Sequence, residues 1–392
     1  MILDKFPSAE DFYKTYWNKK PFVVRNAIPL NLFESLIDGD TLAGLSLDED
    51  IKSRIVTTIP KENNWVCEHG PFDENKFSKL GEHNWSLLVQ NVEQYHTDTS
   101  KLLEHFNFSP RWLMDDIMVS YSAIGGTVGP HTDSYHVFLV QGMGKRKWNI
   151  GQTPIENEEY VDNKDLKVLK NSFEGEEVEV SIGDVIYIPP HFGHEGKTIE
   201  EAMTFSVGFL GPQLSDMLME YGHYMEEEQK NNRYSGQGLD KRSSAFCIDP
   251  SAISTVQNNL VEMLQSDNFS IWMAQYFSTP THDEAENIEP RETPLSSEAL
   301  LEMLQDGQVL YRPEYIKLAI TTSSDGTKNL SIYGQVISMS AGYKDFIYIL
   351  NNKSTFSIQE INNLDDPLEV IALITHLYNQ NALSFHIKDM HC

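Results

Sequence analysis

From Asp116 to Leu210 the chain is a succession of short apolar runs, each cut off by glycine, proline or asparagine. "DDIMVSYSAI", "SYHVFLVQG", "RKWNIG", "EEVEVSIGDVIYIPP" and "AMTFSVGFL" are rich in β-branched and aromatic residues, which is strand composition. Many short strands behind a helical lead-in leave a sandwich or a double-sheet barrel as the expected architecture. No run approaches the ~18 consecutive apolar residues of a membrane span. The start, "MILDKFPSAEDF", lacks the charged-then-apolar signal pattern.

Residues two apart on a strand face the same way. In "GPHTDSYHV" this brings His131 and Asp133 to one side and turns Thr132 away. One imidazole and one carboxylate so placed can take two adjacent positions on an octahedral ion. A second histidine from elsewhere would complete the facial triad of non-haem Fe(II) oxygenases, with three positions left open. Alone the pair is a weak signal, because Gly125, Gly126, Gly129 and Pro130 just ahead also fit an ordinary surface turn. "GDVIYIPPHFGHEGKT", Gly183–Thr198, strengthens it. A Gly-Asp turn feeds an apolar strand, Pro189-Pro190 ends it, and a short loop carries His191 and His194. Either histidine can reach an ion. His194 is preferred, since the double proline needs a few residues to re-aim the chain, which leaves His191 toward solvent.

"QGMGKRKW" reads as a hairpin turn, with Gly142 and Gly144 bracketing Met143. Beyond it Arg146 shares a face with Trp148 and Ile150, while Lys145, Lys147 and Asn149 share the other. That puts a guanidinium inside the barrel, where an unpaired charge is costly. Its partner is either an internal carboxylate or a dicarboxylate co-substrate gripped by two parallel hydrogen bonds. By the same alternation Ser120 and Ser122, and Thr204 and Ser206, lie opposite the apolar stripes Val119–Tyr121 and Met203–Phe209. Small hydroxyls so placed suit a polar pocket.

The chain carries 30 Lys and Arg against 58 Asp and Glu among 392 residues, a formal charge of −28. Such a field repels nucleic acid and draws basic partners. Cys67, Cys247 and Cys392 are too few and too scattered for a disulfide framework, so a reduced cytoplasm is expected. From Gln213 the period becomes helical. Leu214, Met217, Leu218, Tyr221 and Met225 share one stripe; Ile253, Val256, Leu260 and Leu264 share another. Ser278–Pro294 has linker composition. Beyond it come a helix capped by Ser296, strands near Lys317–Ile320 and Leu330–Met339, and a helix over Pro367–Asn379. This outline resembles a winged helix, yet residues 295–392 hold 6 basic against 11 acidic side chains. Direct nucleic-acid binding is therefore not expected, and the module is read as a protein-contact domain.

The "HTD" motif, the basic residue fifteen positions after its histidine, and "GDVIYIPPHFGHEG" resemble the JmjC branch of the cupin-fold 2-oxoglutarate oxygenases. With "FYKTYWNKKPFVVRNAIP" and "RWLMDDIMVSYSAIGGTVGPHTD", the likeness is to the bacterial ribosomal oxygenases, arginine hydroxylases of a large-subunit ribosomal protein. The resemblance implies a double-stranded β-helix at 1–212, an α-helical dimerisation region at 213–285 and a winged-helix-like α+β domain at 286–392. It implies Fe(II) on His131, Asp133 and His194, and 2-oxoglutarate with its distal carboxylate on Arg146, aided by Ser120 and Thr204. Tyr135 would line the substrate entrance. O2 and 2-oxoglutarate would give succinate, CO2 and a hydroxylated C–H bond on a basic ribosomal protein, and the enzyme would be a homodimer. His136 and His191 depart from the family's pattern. The alternatives are histidine hydroxylation or lysine demethylation by a related domain, or a non-catalytic cupin-fold binding protein.

Overall fold

The structure, a computed structural model, describes residues 2–62, 64–162, 165–228, 233–237, 246–280, 290–339 and 343–385. The stretch read as a linker, Ser278–Pro294, falls largely outside these, as does Cys392. The chain forms two compact units, Met1–Gly211 with Pro313–Tyr315, and Pro212–Arg312 with Ile316–Phe385.

Ten strands build the first unit: β1 (Ile2–Leu3), β2 (Phe22–Val24), β3 (Ser53–Ile59), β4 (Asn64–His69), β5 (Trp85–Val89), β6 (Ile117–Ser122), β7 (His136–Pro154), β8 (Gly175–Ser181), β9 (Val185–Ile188) and β10 (Phe192–Phe209). They pair in the order β1-β2-β9-β7-β10-β6-β5-β3-β4, with β8 joined to β7. β1 and β2 are parallel, and the other pairs are antiparallel. β7 and β10 form one long ribbon whose register shifts between Thr198 and Thr204. Such irregularities bend and twist a strand. Before the bend, Val137–Val140 of β7 pair with β9; after it, Lys145–Gly151 pair with β8.

The hairpin expected at Gln141–Trp148 does not form, because β7 runs straight through it. The glycines serve the bend instead. Gly144 sits at φ +61°, and a Cβ there would come within 1.8 Å of the Glu201 carbonyl oxygen. A Cβ on Gly142 would meet the Phe205 ring at 2.3 Å. Both positions need glycine because two strands cross closely there.

Alternation sorts the remaining side chains. Val119, Phe138, Val140, Tyr187, Phe205 and Val207 enter the main core with Phe12, Phe22 and Phe106 of the lead-in. The five phenylalanines are fully buried, each stabilising the fold by ~1.5–3 kcal/mol. The Gly-Asp turn is locked by Asp184, which accepts from Arg25 Nη1 at 2.6 Å, Asn26 N at 2.9 Å and Ser181 N at 3.1 Å. That fixes the start of β9 and, through it, the loop bearing His191 and His194.

In the second unit the helical stripes become Leu214–Glu227 and Pro250–Leu264, followed by Asp267–Ser278. Tyr221, Met225 and Trp272 make their small core. Ser296 caps the helix Ser297–Gln305 by accepting from Ala299 N. Leu310–Tyr311 (β11) pairs with Thr355–Phe356 (β15). The strands β12 (Leu318–Thr322), β13 (Lys328–Ile332) and β14 (Gln335–Met339) form an antiparallel sheet, and Pro367–Asn379 is a largely buried helix. Helices Lys344–Asn352 and Ile358–Asn362 were not anticipated. No helix among the described residues is long and apolar enough to cross a membrane.

Candidate active site

His131 and His194 face each other in an isolated antiparallel bridge. The N–H of His131 donates to the His194 carbonyl at 3.0 Å, and the N–H of His194 returns the bond at 2.9 Å. The N–H of His191 donates to the Asp133 carbonyl at 2.7 Å. The strand assumed for His131–Asp133 is thus reduced to one bridge, and β7 begins only at His136. The side chains converge all the same. The ligand atoms of His131, Asp133 and His194 lie within 4.8 Å of one another, with His194 Nε2 3.4 Å from Asp133 Oδ2.

Each imidazole commits Nδ1 to a backbone carbonyl: His131 to Gly129 at 2.9 Å, His194 to Phe192 at 3.0 Å. A ring that donates from Nδ1 keeps Nε2 as its lone-pair acceptor, the form that binds metal. Burial, then the neighbouring His194, pushes the His131 pKa down to about 4. Burial acts to raise that of Asp133, but hydrogen bonds from His194 and Tyr135 and the two imidazoles outweigh it and hold the carboxyl below its ordinary value. Two imidazoles and one carboxylate are a donor set suited to a divalent transition-metal ion. His191 lies apart, 53% exposed, with Nδ1 2.9 Å from Glu158 Oε1. His136 is also elsewhere, stacked on Trp17 with ring centroids 3.4 Å apart.

The three donors open onto a cavity of about 330 Å³ that Ser120, Ser122, Arg146, Thr204 and Ser206 also line. Arg146 is 5% exposed. Its Nη1 donates to Thr204 Oγ1 at 3.3 Å and its Nη2 to the Gly196 carbonyl at 3.1 Å, while Nε has no partner. Trp148 covers the guanidinium at 5.0 Å, and burial lowers its pKa to about 10. No carboxylate among the described residues pairs with it, which removes the internal salt bridge as an account of its burial. Ser120 Oγ donates to the Thr204 carbonyl at 3.4 Å, and Thr204 Oγ1 to Gln141 Oε1 at 3.4 Å. Tyr135 lines the same cavity. Burial, then the charges of Asp133 and Asp116, raises its pKa.

Residues 101–217 match the model of the JmjC domain. The chain is 34% identical over 305 residues to the ribosomal protein uL16 3-hydroxylase of Escherichia coli strain K12, covering 77% of this chain and 79% of that one. The chain belongs to the JmjC ribosomal oxygenases. A probable ribosomal oxygenase of Haemophilus influenzae is 39% identical over 214 residues, 54% of this chain and 52% of its own. The X-ray structure of E. coli YcfD superposes with a TM-score of 0.79 at 30% identity, over 96% of this chain and 97% of that one. YcfD in complex with cobalt and 2-oxoglutarate gives a TM-score of 0.77 at 30% identity, with the same coverage of both chains. The first unit of this ribosomal oxygenase thus has the JmjC/cupin fold, carried by a large mixed sheet.

All seven site residues read from the sequence, His131, Asp133, His194, Arg146, Ser120, Thr204 and Tyr135, lie inside the JmjC match and line the one cavity. Three contributors escaped that reading. Trp148 reads in the sequence only as an apolar marker, yet it covers Arg146. Gln141, 1% exposed, fell in the segment misread as a hairpin. Arg54 of β3 lies ahead of the match and far from any motif. The signal it offered was a cation on the same strand face as Val56 and Thr58, both buried.

Proposed function

We propose that this ribosomal oxygenase hydroxylates an arginine β-carbon of a large-subunit ribosomal protein, using Fe(II) and 2-oxoglutarate. His131, Asp133 and His194 would hold the metal. Arg146, with Thr204 and Ser120, would hold the distal carboxylate of the co-substrate. The observation that carries this reading is Arg146, a buried cation without an anion, beside three converging metal donors. A partnerless buried charge is costly, and a dicarboxylate bound in the same cavity offsets that cost with a charge-assisted pair. The same fork geometry is why a lysine would serve less well. The cobalt and 2-oxoglutarate complex of YcfD supports the ligand assignment.

Bound iron with 2-oxoglutarate and O2 supplies an oxidant able to break a C–H bond, with succinate and CO2 as co-products. The chain's own contribution is geometric. The His131–His194 bridge fixes the donors, Trp148 keeps water from the guanidinium, and the apolar wall of Leu139, Val137 and Trp148 encloses the co-substrate.

For the substrate, acidic side chains stand near Tyr135: Asp116 Oδ1 and the Tyr135 ring both approach Gly208, and the charges of Asp116 and Asp115 reach Tyr135. That environment, and a net charge of −28, favour a cationic side chain on a basic protein. The name of the E. coli relative, a uL16 3-hydroxylase, supports hydroxylation at carbon 3, the β-carbon. Iron-loaded protein with 2-oxoglutarate and its host's uL16 should add the mass of one oxygen to one arginine peptide. An oxygen on histidine, or loss of a methyl group from lysine, would assign the alternatives instead.

The helical segment is proposed as a homodimer contact. Leu214, Leu218, Ile253 and Leu260 are 78%, 57%, 48% and 53% exposed, more apolar surface than a solvated helix pair needs. The module from 286 onward is proposed as winged-helix-like, and its acidity supports a protein contact over nucleic acid. The cytoplasm is the compartment where a ribosomal substrate would be met.

A further inference from the structure

A second guanidinium lines the cavity. Arg54 projects from β3, where it pairs with Leu88 of β5. Leu88 in turn pairs with Ser120 of β6 and Ser120 with Thr204 of β10. One rung therefore runs across four strands, with Arg54 at one end and Thr204, the partner of Arg146, at the other. Three strand spacings put about 14 Å of backbone between the ends. The two arginines thus stand on opposite walls.

Arg54 leans away from Arg146. Its Nη2 lies 3.9 Å from Met118 Sδ, a contact too weak to satisfy a guanidinium, and its buried Nε has no hydrogen-bond partner. Among the described residues no ion pair engages it. Met118 is one inward position along β6 from Ser120 and pairs with Ser206. The next inward position brings Gly208, beside whose α-carbon Asp116 and the Tyr135 ring approach. The contact with Met118 thus turns Arg54 along β6 toward the Tyr135–Asp116 end of the cavity, the end read above as the substrate entrance.

A cation there poses a problem of sign. The substrate is basic, so Arg54 has no carboxylate to expect from it and opposes the arginine that the acids near Tyr135 attract. What any polypeptide does bring is a row of carbonyl oxygens, and a guanidinium offers five donors in a fixed fork. We infer that Arg54 is a substrate-positioning residue that donates to main-chain carbonyl oxygens of the bound ribosomal polypeptide, next to the arginine being hydroxylated. It holds the backbone while the acids near Tyr135 hold the side chain. Its charge also discriminates against a cationic side chain entering in the wrong register. This inference rests on the substrate reading given under Proposed function.

The test is binding, by fluorescence anisotropy, of a labelled peptide from the host's uL16. It uses the full chain with Fe(II) and 2-oxoglutarate under argon. Arg54→Met should weaken peptide binding by roughly tenfold or more and leave 2-oxoglutarate affinity unchanged, which also reports an intact fold. Arg54→Lys should recover part of the loss. Peptides in which one amide oxygen at a time is replaced by sulfur should lose affinity at a particular position in wild type, and lose nothing further there in Arg54→Met. Equal peptide binding by wild type and Arg54→Met would overturn the inference while leaving the substrate reading intact. So would a loss confined to 2-oxoglutarate, which would move Arg54 to the co-substrate. A wild type that binds no uL16 peptide would overturn the substrate reading, and this inference with it.

Discussion

His131 and His194 are joined by a reciprocal pair of backbone hydrogen bonds, 3.0 and 2.9 Å long, so their imidazoles are positioned by main chain rather than by each other. Removing one ring should cost the metal site and spare the fold. His131→Ala should bind Co(II) or Fe(II) more than about a hundredfold more weakly, with nearly unchanged thermal unfolding of the metal-free protein. Metal titration followed by absorbance checks this. Unaltered affinity would place the ion elsewhere.

Arg146 gives a prediction with two opposite signs. Arg146→Met removes the proposed anchor for the distal carboxylate, so 2-oxoglutarate should bind weaker by about 1.5–3 kcal/mol. The same change deletes a buried, anion-less charge, so the variant without co-substrate should be the more stable one. Calorimetric titration and thermal unfolding on the same sample read both. An Arg146→Met protein that is less stable and binds 2-oxoglutarate normally would contradict the assignment.

Much of this site was legible because a strand's period of two is written into the residues. Trp148 and Ile150 marked the inward face and carried Arg146 with them; Ser120 and Thr204 stood opposite Val119 and Phe205. The reading failed where the cause lay in distant chain. Gly142 and Gly144 looked like a turn, yet the atoms that demand glycine belong to Phe205 and Glu201, on a strand that local sequence does not identify as a neighbour. Arg54 reaches the cavity only through the pairing of β3, β5 and β6, for which no motif exists. The preference for His194 over His191, drawn from the double proline, has a backbone reason as well. His191 sits at φ +66° and turns its ring to Glu158.

His136 predicts a pH dependence of stability. Burial pushes its pKa down to about 3 from 6.5; it is stacked on Trp17, with Nδ1 2.8 Å from Tyr187 Oη. Between those values the unfolded chain holds a proton that the folded chain does not. Stability therefore rises with pH across the window and falls as the solution is acidified below 6.5. At pH 5 the loss is about 2 kcal/mol. His136→Phe keeps the stacking and removes the titration, so unfolding free energies from urea melts at pH 7 and pH 5 should differ less by about that amount. An unchanged difference would mean that His136 does not titrate as burial requires.

The exposed apolar stripes predict the assembly state. Wild type should be a dimer by light scattering, and the double variant Leu218→Asp with Leu260→Asp should be a monomer with native circular dichroism. A monomeric wild type, or a double variant that stays dimeric, would remove the helical segment as the contact.

In the proposed function, His131, Asp133, His194 and Arg146 together support hydroxylation driven by 2-oxoglutarate. Mass spectrometry of uL16 after incubation with iron, 2-oxoglutarate and labelled O2 tests it most directly, with succinate measured alongside. The expected result is one labelled oxygen on the β-carbon of one arginine, matched by succinate and absent in His131→Ala. Unmodified uL16 with the fully loaded wild type, or the same labelling by His131→Ala, would contradict the claim.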